Sequence, residues 1–339
     1  MKKKKIKKHK RIIRILLVCL LVVFIGLGVI LYGPVRTMVS LERVDDYPLF
    51  VMRYHGDYFF DWFSEHGIEW PIFQKFYKLM NPDACTSFVA MSDPNSVVFA
   101  RNFDWLHRSS LLLFTDPPDG YASVSMVDLY YLGLEGMKEI PWLKRFFLLG
   151  TPYGIMDGMN EWGVAVSQNA VPFKKLPYDP NKPTLISNQI MRAILDHARD
   201  VGEAVSLIEK YNPNFPVVCG HLHIADVSGN SVVIEYVDGR MVVIRNDKPW
   251  QVSTNFLLSE AKAETPVCRR YDTACEYLLS TEGHVTQQEA MKLLQSVKLE
   301  QTVWSVVYNL STGAVDIAMG KDYEKIHSFQ LKMKEHNRK

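Results

Sequence analysis

Hydrophobic and polar positions divide this chain into a membrane-like start and a body that is mostly β. An apolar run from Ile15 to Tyr32 carries no charge. Its eighteen residues at ~1.5 Å each give roughly 27 Å of helix, enough to cross a hydrocarbon core. A segment rich in aromatics comes next, with Tyr58, Phe59, Phe60, Trp62, Phe63, Trp70, Phe73, Phe76 and Tyr77, too apolar for a flexible linker. Phe88-Val89 and Val97-Val98-Phe99 then read as two strands around the turn cluster Ser92-Asp93-Pro94-Asn95-Ser96. Folding about position 94.5 sets Cys85 opposite Asp104.

Further strands are expected over Ala122 to Leu134, on both sides of Asn160-Glu161-Trp162-Gly163, and over His221 to Val227, Ser231 to Val237 and Met241 to Arg245. Ile190, Ile194, Leu195 and Ala198, then Ala204, Leu207 and Ile208, have helical spacing. Two more helices are expected over Arg269 to Leu279 and Gln287 to Val297, the second opened by a Thr286/Glu289 capping box. A hairpin from Val303 to Tyr308 and Val315 to Met319 closes the pattern. Strands and helices in alternating blocks, mostly joined by hairpins, predict an α+β fold with helices covering antiparallel sheets. The expected divisions are 1–34 as basic tail and transmembrane signal anchor, 35–84 as connecting or pro-segment, 85–325 as catalytic domain and 326–339 as polar tail.

Charge sharpens the reading of the start. The net charge is only +2, but Lys2, Lys3, Lys4, Lys5, Lys7, Lys8, Lys10, Arg11 and Arg14 crowd the N-terminus. A basic tail could suit nucleic acid. With an apolar run directly after it, the tail instead fixes orientation, and the chain beyond Gly33-Pro34 is expected outside the cytoplasm. A cleaved signal peptide is the rival, although the run is long for one and no small-x-small site comes after it. Five cysteines, Cys19, Cys85, Cys219, Cys268 and Cys275, are too few for a disulfide scaffold. Hydrophobic content of 47% and charged content of 22% are ordinary globular values.

The chemistry concentrates at the first hairpin. It brings a thiol (Cys85), a guanidinium (Arg101) and a carboxylate (Asp104) to one end of two paired strands. Cys219, His221 and His223 alternate with metal-ligand types, but no fourth ligand is evident. Pairing Cys85 with His221 or His223 in a papain-like arrangement is a further reading, without the local signature it needs. The apolar run Leu129-Tyr130-Tyr131-Leu132 with Trp142, Phe146, Phe147 and Leu148 could line an acyl pocket, form core, or face a membrane.

Cys85 with Arg101-Asn102-Phe103-Asp104-Trp105 resembles the N-terminal nucleophile hydrolases of the choloylglycine hydrolase, penicillin V acylase and linear amide hydrolase group, which includes acyl-CoA:6-aminopenicillanic acid acyltransferase-like enzymes. Matching blocks occur in order at Gly158-Met159-Asn160-Glu161-Trp162-Gly163, Asp226-Val227-Ser228-Gly229, Thr254-Asn255-Phe256, Arg270-Tyr271 and Thr302-Val303-Trp304-Ser305. The resemblance covers Cys85 to Gly320 and implies a four-layer αββα sandwich of two antiparallel sheets. It also implies a nucleophile, Cys85, whose own α-amine is the base once it is the first residue of the catalytic chain. The amine (pKa ~7.7–8) and a thiol (~8.5) exchange a proton at little cost. Arg101 is expected to favour thiolate, Asp104 to orient the amine, Asn255 and Asn169 to bind the oxyanion, and Arg270, with Arg269 as the neighbouring choice, to serve as the late site arginine. No metal or organic cofactor is implied. The substrate class implied is a small N-acyl amide.

Cys85 stands behind eighty-four residues, so the mechanism requires a cut at Ala84-Cys85. Acyl transfer through the same acyl-enzyme, or an uncut inactive binding protein of the same fold, are the alternatives.

Overall fold

The computed structural model describes residues 2–66, 85–105, 109–134, 136–216, 219–261 and 268–334, with backbone alone for 2–14 and 27. Asn81-Pro82-Asp83, whose residue types predict a sharp turn directly before Ala84-Cys85, and the Ala84 side of that bond lie outside the described residues. Helices are α1 (Lys2–Val39), α2 (Phe60–His66), α3 (Ser187–His197), α4 (Val201–Ile208), α5 (Arg269–Ser280) and α6 (Gln287–Ser296). Strands are β1 (Glu42–Asp45), β2 (Leu49–Arg53), β3 (Cys85–Ala90), β4 (Val98–Asp104), β5 (Ser110–Thr115), β6 (Ser123–Asp128), β7 (Ile155–Asn160) and β8 (Val164–Ala170). They continue as β9 (Thr184–Ile186), β10 (Asn212–Asn214), β11 (Gly220–Asp226), β12 (Ser231–Val237), β13 (Arg240–Arg245), β14 (Trp250–Ser253), β15 (Thr302–Asn309), β16 (Ala314–Met319) and β17 (Ile326–Gln330). Runs of 3-10 turns cover Leu129–Leu132 and Trp142–Tyr153.

Two sheets face each other. One has nine strands in the order β1-β2-β5-β6-β7-β8-β11-β12-β13, the other six in the order β14-β3-β4-β15-β16-β17. Period-two alternation sends successive residues to opposite faces, and the burial obeys it. Val89, Phe99, Phe103, Leu112, Met126, Trp304 and Tyr308 meet between the sheets. Leu111, Leu113, Val164 and Val166 turn outward onto Ile190, Ile194 and Leu195 of α3 and Ala204 and Ile208 of α4. Phe88, Ala90, Val98 and Ala100 turn the other way onto Ala274 and Leu278 of α5 and Ala290, Leu293 and Leu294 of α6. The result is the αββα sandwich. The Thr286/Glu289 capping box opens α6 as expected, with both reciprocal bonds formed.

Four expectations are corrected. The first hairpin is centred on Pro94, so Cys85 opposes Phe103 and Ser87 opposes Arg101. An odd-numbered loop, turned by Ser96 N–H on Asp93 O and Asn95 N–H on the Asp93 carboxylate, accounts for the shift. One residue of register exchanges faces, which turns Asp104 away from the side where Cys85 Sγ lies. Second, the connecting segment supplies β1 and β2. β2 pairs parallel with β5 and buries Leu49, Phe50 and Met52, so the nine-stranded sheet is not wholly antiparallel. Third, β17 occupies Ile326–Gln330, inside what reads as a polar tail, as the edge partner of β16. Fourth, Ala122 to Leu134 is strand only through Asp128, whose carboxylate accepts from Tyr130 N–H and turns the chain into 3-10 geometry.

α1 continues through Pro34 to Val39. Its stretch from Ile15 to Val39, 25 residues, is long and apolar enough to cross a membrane, a test that an N-terminal signal sequence also passes.

Candidate active site

Cys85 opens β3 in the interior of the sandwich, between the edge strand β14 and β4. β14 pairs with β3 so that Ser253 opposes Ser87. Two residues further on, this register sets Asn255 beside Cys85. Each polar atom of Cys85 is held by a different element. Its N–H donates to Asn255 Oδ1 at 2.7 Å. Its carbonyl accepts from Arg270 Nη1 at 2.6 Å, and its sulfur lies 3.5 Å from Arg101 Nη2. Arg270 also donates to Thr86 Oγ1 at 2.7 Å and to Asn255 Oδ1 at 2.8 Å. Of the two neighbouring arginines, Arg270 reaches Cys85 while Arg269 is exposed. A cation in the first turn of a helix opposes the helix dipole, so these hydrogen bonds, rather than helix preference, keep Arg270 there.

Arg101 is buried, and both of its terminal nitrogens are engaged toward the nine-stranded sheet. Nη1 donates to Asp157 Oδ2 at 2.7 Å and to Met156 O at 2.5 Å, and Nη2 donates to Gln168 O. Burial works against its charge, but Cys85 and Asp157 outweigh it and hold its pKa above the usual range. Asp157 is the residue that sequence reasoning missed. It accepts from Tyr308 OH at 2.6 Å and Trp304 Nε1 at 3.3 Å besides Arg101. The available signal was a carboxylate among apolar neighbours in a strand, where an unpaired charge is costly.

Burial raises the Cys85 thiol above its ordinary pKa. Arg101 and the Asp104 backbone N–H pull it down, and the Asp104 charge pushes it further up. Arg101 thus pulls toward thiolate as expected, but burial is the larger effect. Burial likewise raises Asp104, against Thr302, Arg270 and Arg101. Asp104 accepts from Thr302 Oγ1, while its Oδ2 accepts no hydrogen bond among the described residues and sits 3.8 Å from Arg270 Nη1. Cys85 N–H goes to Asn255, not to Asp104.

The two candidate oxyanion asparagines differ. Asn255 touches Cys85 through Oδ1, with Nδ2 donating to Ala170 O at 2.8 Å. Asn169 Nδ2 is committed to Ser87 Oγ at 2.8 Å and Ser253 Oγ at 2.9 Å. Behind them lies a buried polar chain that ties His221 to groups the sequence did not connect with it. His221 Nε2 sits 2.8 Å from both Ser253 Oγ and Thr254 O, and its Nδ1 is 3.1 Å from Glu235 Oε1. Glu235 accepts from Leu258 N–H at 2.7 Å and Ser259 N–H at 3.1 Å. His221 and Glu235 thereby grip the chain on both sides of Asn255. Burial would raise Glu235, yet bonds from His221 and Ser259 bring it below the usual range. His223 bridges Ser87 Oγ at 3.0 Å and Ser231 Oγ at 3.1 Å. Cys219 does not share the histidines' surroundings; it packs with Leu222 and Ile224 against the helices. The His221 and His223 ring nitrogens are bonded to these groups, not to Cys85.

Comparison with known proteins supplies a lineage. The sequence model of the acyl-coenzyme A:6-aminopenicillanic acid acyl-transferase family matches residues 91–322, beginning just beyond Cys85. A penicillin V acylase from Pectobacterium atrosepticum is 29% identical over 196 residues, which is 51% of this chain and 49% of that protein. The chain thus spans about half the length of the curated relative it matches. Among solved structures, penicillin V acylase from Agrobacterium tumefaciens superposes with a TM-score of 0.52 at 20% identity, covering 73% of this chain and 91% of that one. A mutant conjugated bile acid hydrolase from Clostridium perfringens gives 0.52 at 16% identity, covering 73% and 92%. At these identities the structural likeness speaks for the fold.

Proposed function

Because the chain belongs to the acyl-coenzyme A:6-aminopenicillanic acid acyl-transferase family, we propose that it is an N-terminal nucleophile amidase that hydrolyses a linear amide bond of an N-acylated small molecule. The observation that carries this reading is the grip on Cys85: nitrogen, carbonyl and sulfur are each held by a separate side chain. A merely structural cysteine needs no such arrangement.

Maturation comes first. The Cys85 thiol attacks the Ala84 carbonyl carbon, the acyl group moves from nitrogen to sulfur, and water hydrolyses the thioester, leaving Cys85 with an α-amine. Asn255 Oδ1 already accepts from that nitrogen, and the Asp104 Oδ2 acceptor is available to an ammonium nearby. In turnover Cys85 Sγ attacks the substrate carbonyl while its proton passes to the α-amine. The amine then delivers the proton to the leaving nitrogen, and the C–N bond breaks. Water attacks the resulting thioester and the acid departs. Arg101 faces the sulfur as its negative charge develops. Of the two asparagines, we keep Asn255 for the oxyanion, which its second Nδ2–H would bind while Oδ1 accepts from the Cys85 nitrogen, and assign Asn169 to the polar interior. Arg270 fixes Asn255 and the Cys85 carbonyl relative to each other.

The matching family is named for acyl transfer, and an amine replacing water at the thioester gives that outcome from the same intermediate. We place α1 in the cell membrane as a single-pass anchor with the catalytic domain outside the cytoplasm, on the strength of its basic start and apolar span.

A panel of conjugated bile acids, penicillin V and N-acyl lipid amides tests the activity. Release of free acid should occur with at least one member, and Cys85→Ser should lower turnover by at least about 10²-fold. Retained turnover in Cys85→Ser removes Cys85 from its role.

A further inference from the structure

Trp142–Tyr153 is apolar on both of its sides. Leu148, Thr151, Pro152 and Tyr153 are buried against the nine-stranded sheet and its helices. Trp142, Leu143, Phe146 and Phe147 point outward and keep 51%, 86%, 66% and 50% of their surface exposed. Four large apolar side chains exposed within six residues mark an interaction site rather than ordinary surface scatter.

What lies beside them identifies the occupant. The segment packs on the end of α1, and Arg145 Nη1 donates to Met38 O in the last turn of α1 at 2.8 Å. Val35 and Val39 of that same end are themselves exposed. The 25 apolar-rich residues from Ile15 to Val39 give about 37 Å of helix against a hydrocarbon core of about 30 Å. The Met38 end then falls in the layer between hydrocarbon and water, and Arg145 pins the exposed aromatics at the same depth. Lys138, Lys144 and Arg145 supply cations among the aromatics, and Arg43, itself paired with Asp46, donates to Lys138 O at 3.0 Å; among residues 137–147 the only acid is Glu139. Aromatic rings with flanking cations are the composition of an interfacial anchor.

We propose that Trp142, Leu143, Phe146 and Phe147 insert into the surface of the bilayer that α1 crosses, as a second anchor that fixes the domain against the membrane. The proposal rests on α1 being a membrane span. It gives the exposed face of the 3-10 run an occupant, the lipid bilayer. The same run leads through Gly154 and Ile155 into Met156 and Asp157, the groups that hold Arg101, so the anchored surface and the Arg101 support are one continuous stretch of chain.

The test uses the full chain reconstituted in nanodiscs of phosphatidylcholine with a minority of phosphatidylglycerol, with acyl chains brominated near the head group or near the methyl end. Trp142 emission is taken as the difference between the native chain and Trp142→Phe, and Phe24→Trp reports on α1. The expected result is quenching of Trp142 at least about twofold stronger with bromine near the head group than near the chain end. No quenching of Trp142 with Phe24→Trp quenched overturns the docking and leaves the anchor standing. No quenching of either overturns the anchor, and the docking with it.

Discussion

At Cys85 the strongest physical effect is desolvation. Burial holds the thiol above its ordinary pKa despite Arg101 at 3.5 Å, which suits a mechanism that moves its proton to a neighbouring amine rather than storing a thiolate. Asn255→Ala should lower kcat by about 10²–10³-fold, because it removes the amide that touches Cys85, and steady-state kinetics on any accepted substrate will show it. Asn169→Ala should instead cost about 1–3 kcal/mol of stability, read by urea unfolding, with a much smaller change in kcat. The two substitutions showing equal kinetic losses would contradict this division. His223 gives a pH signature. Burial, then the charge of His221, depresses it to about 3, whereas an unfolded histidine titrates near 6.5. Between those values only the unfolded chain binds the proton, so this group's contribution is present above pH 6.5 and is lost on acidification. The slope is about 1.4 kcal/mol per pH unit. Urea midpoints between pH 3 and 7 should fall less steeply in His223→Gln; an unchanged slope would remove His223 as the source. That Arg101 and Asp104 share a hairpin with Cys85 was legible from residue order, and the family resemblance singled out Asn255 and Arg270, which the fold sets against Cys85. The roles of Asp157, His221 and Glu235 were not legible, since they depend on partners 56, 32 and 23 positions away, brought close only by the fold.

Among the elements, β2 departs furthest from its sequence reading. Its strand lies upstream of Cys85 in sequence but inside the nine-stranded sheet in space, paired with β5 from Leu49/Ser110 to Arg53/Phe114. Phe50, Met52, Tyr58 and Phe60 are buried in the layer under α3. A chain cut before Cys85 therefore does not lose its upstream segment. The two fragments should elute as one species in size exclusion under native conditions and part only in denaturant. Separation without denaturant would contradict this. Phe50→Ala should weaken the association by about 3–5 kcal/mol, seen as a lower urea concentration for fragment release. Strands with plain alternation and marked turns, such as Ser231–Val237, were legible to the residue. β2 and β5 were not: both are short, apolar on successive positions, and paired in parallel across a long connection, so no turn residue announces them. The hairpin register was missed for a related reason, because the number of residues in a turn is set by backbone geometry that composition does not report.

On the scale of the molecule, a helix fit to span a membrane, an αββα sandwich and a gripped cysteine form one chain. The layered architecture was legible because alternation, helical spacing and ordered motif blocks all pointed to it. What sequence could not show is how the upstream segment and the aromatic 3-10 run attach to that sandwich, since both attachments are tertiary. The mechanism needs one covalent event, the break that gives Cys85 an α-amine. Intact mass with N-terminal sequencing of the purified full-length protein tests it directly. The predicted result is two fragments, the larger beginning at Cys85, and a single uncut species in Cys85→Ala. A native chain that hydrolyses its amide substrate while still continuous through Ala84 and Cys85 would contradict it.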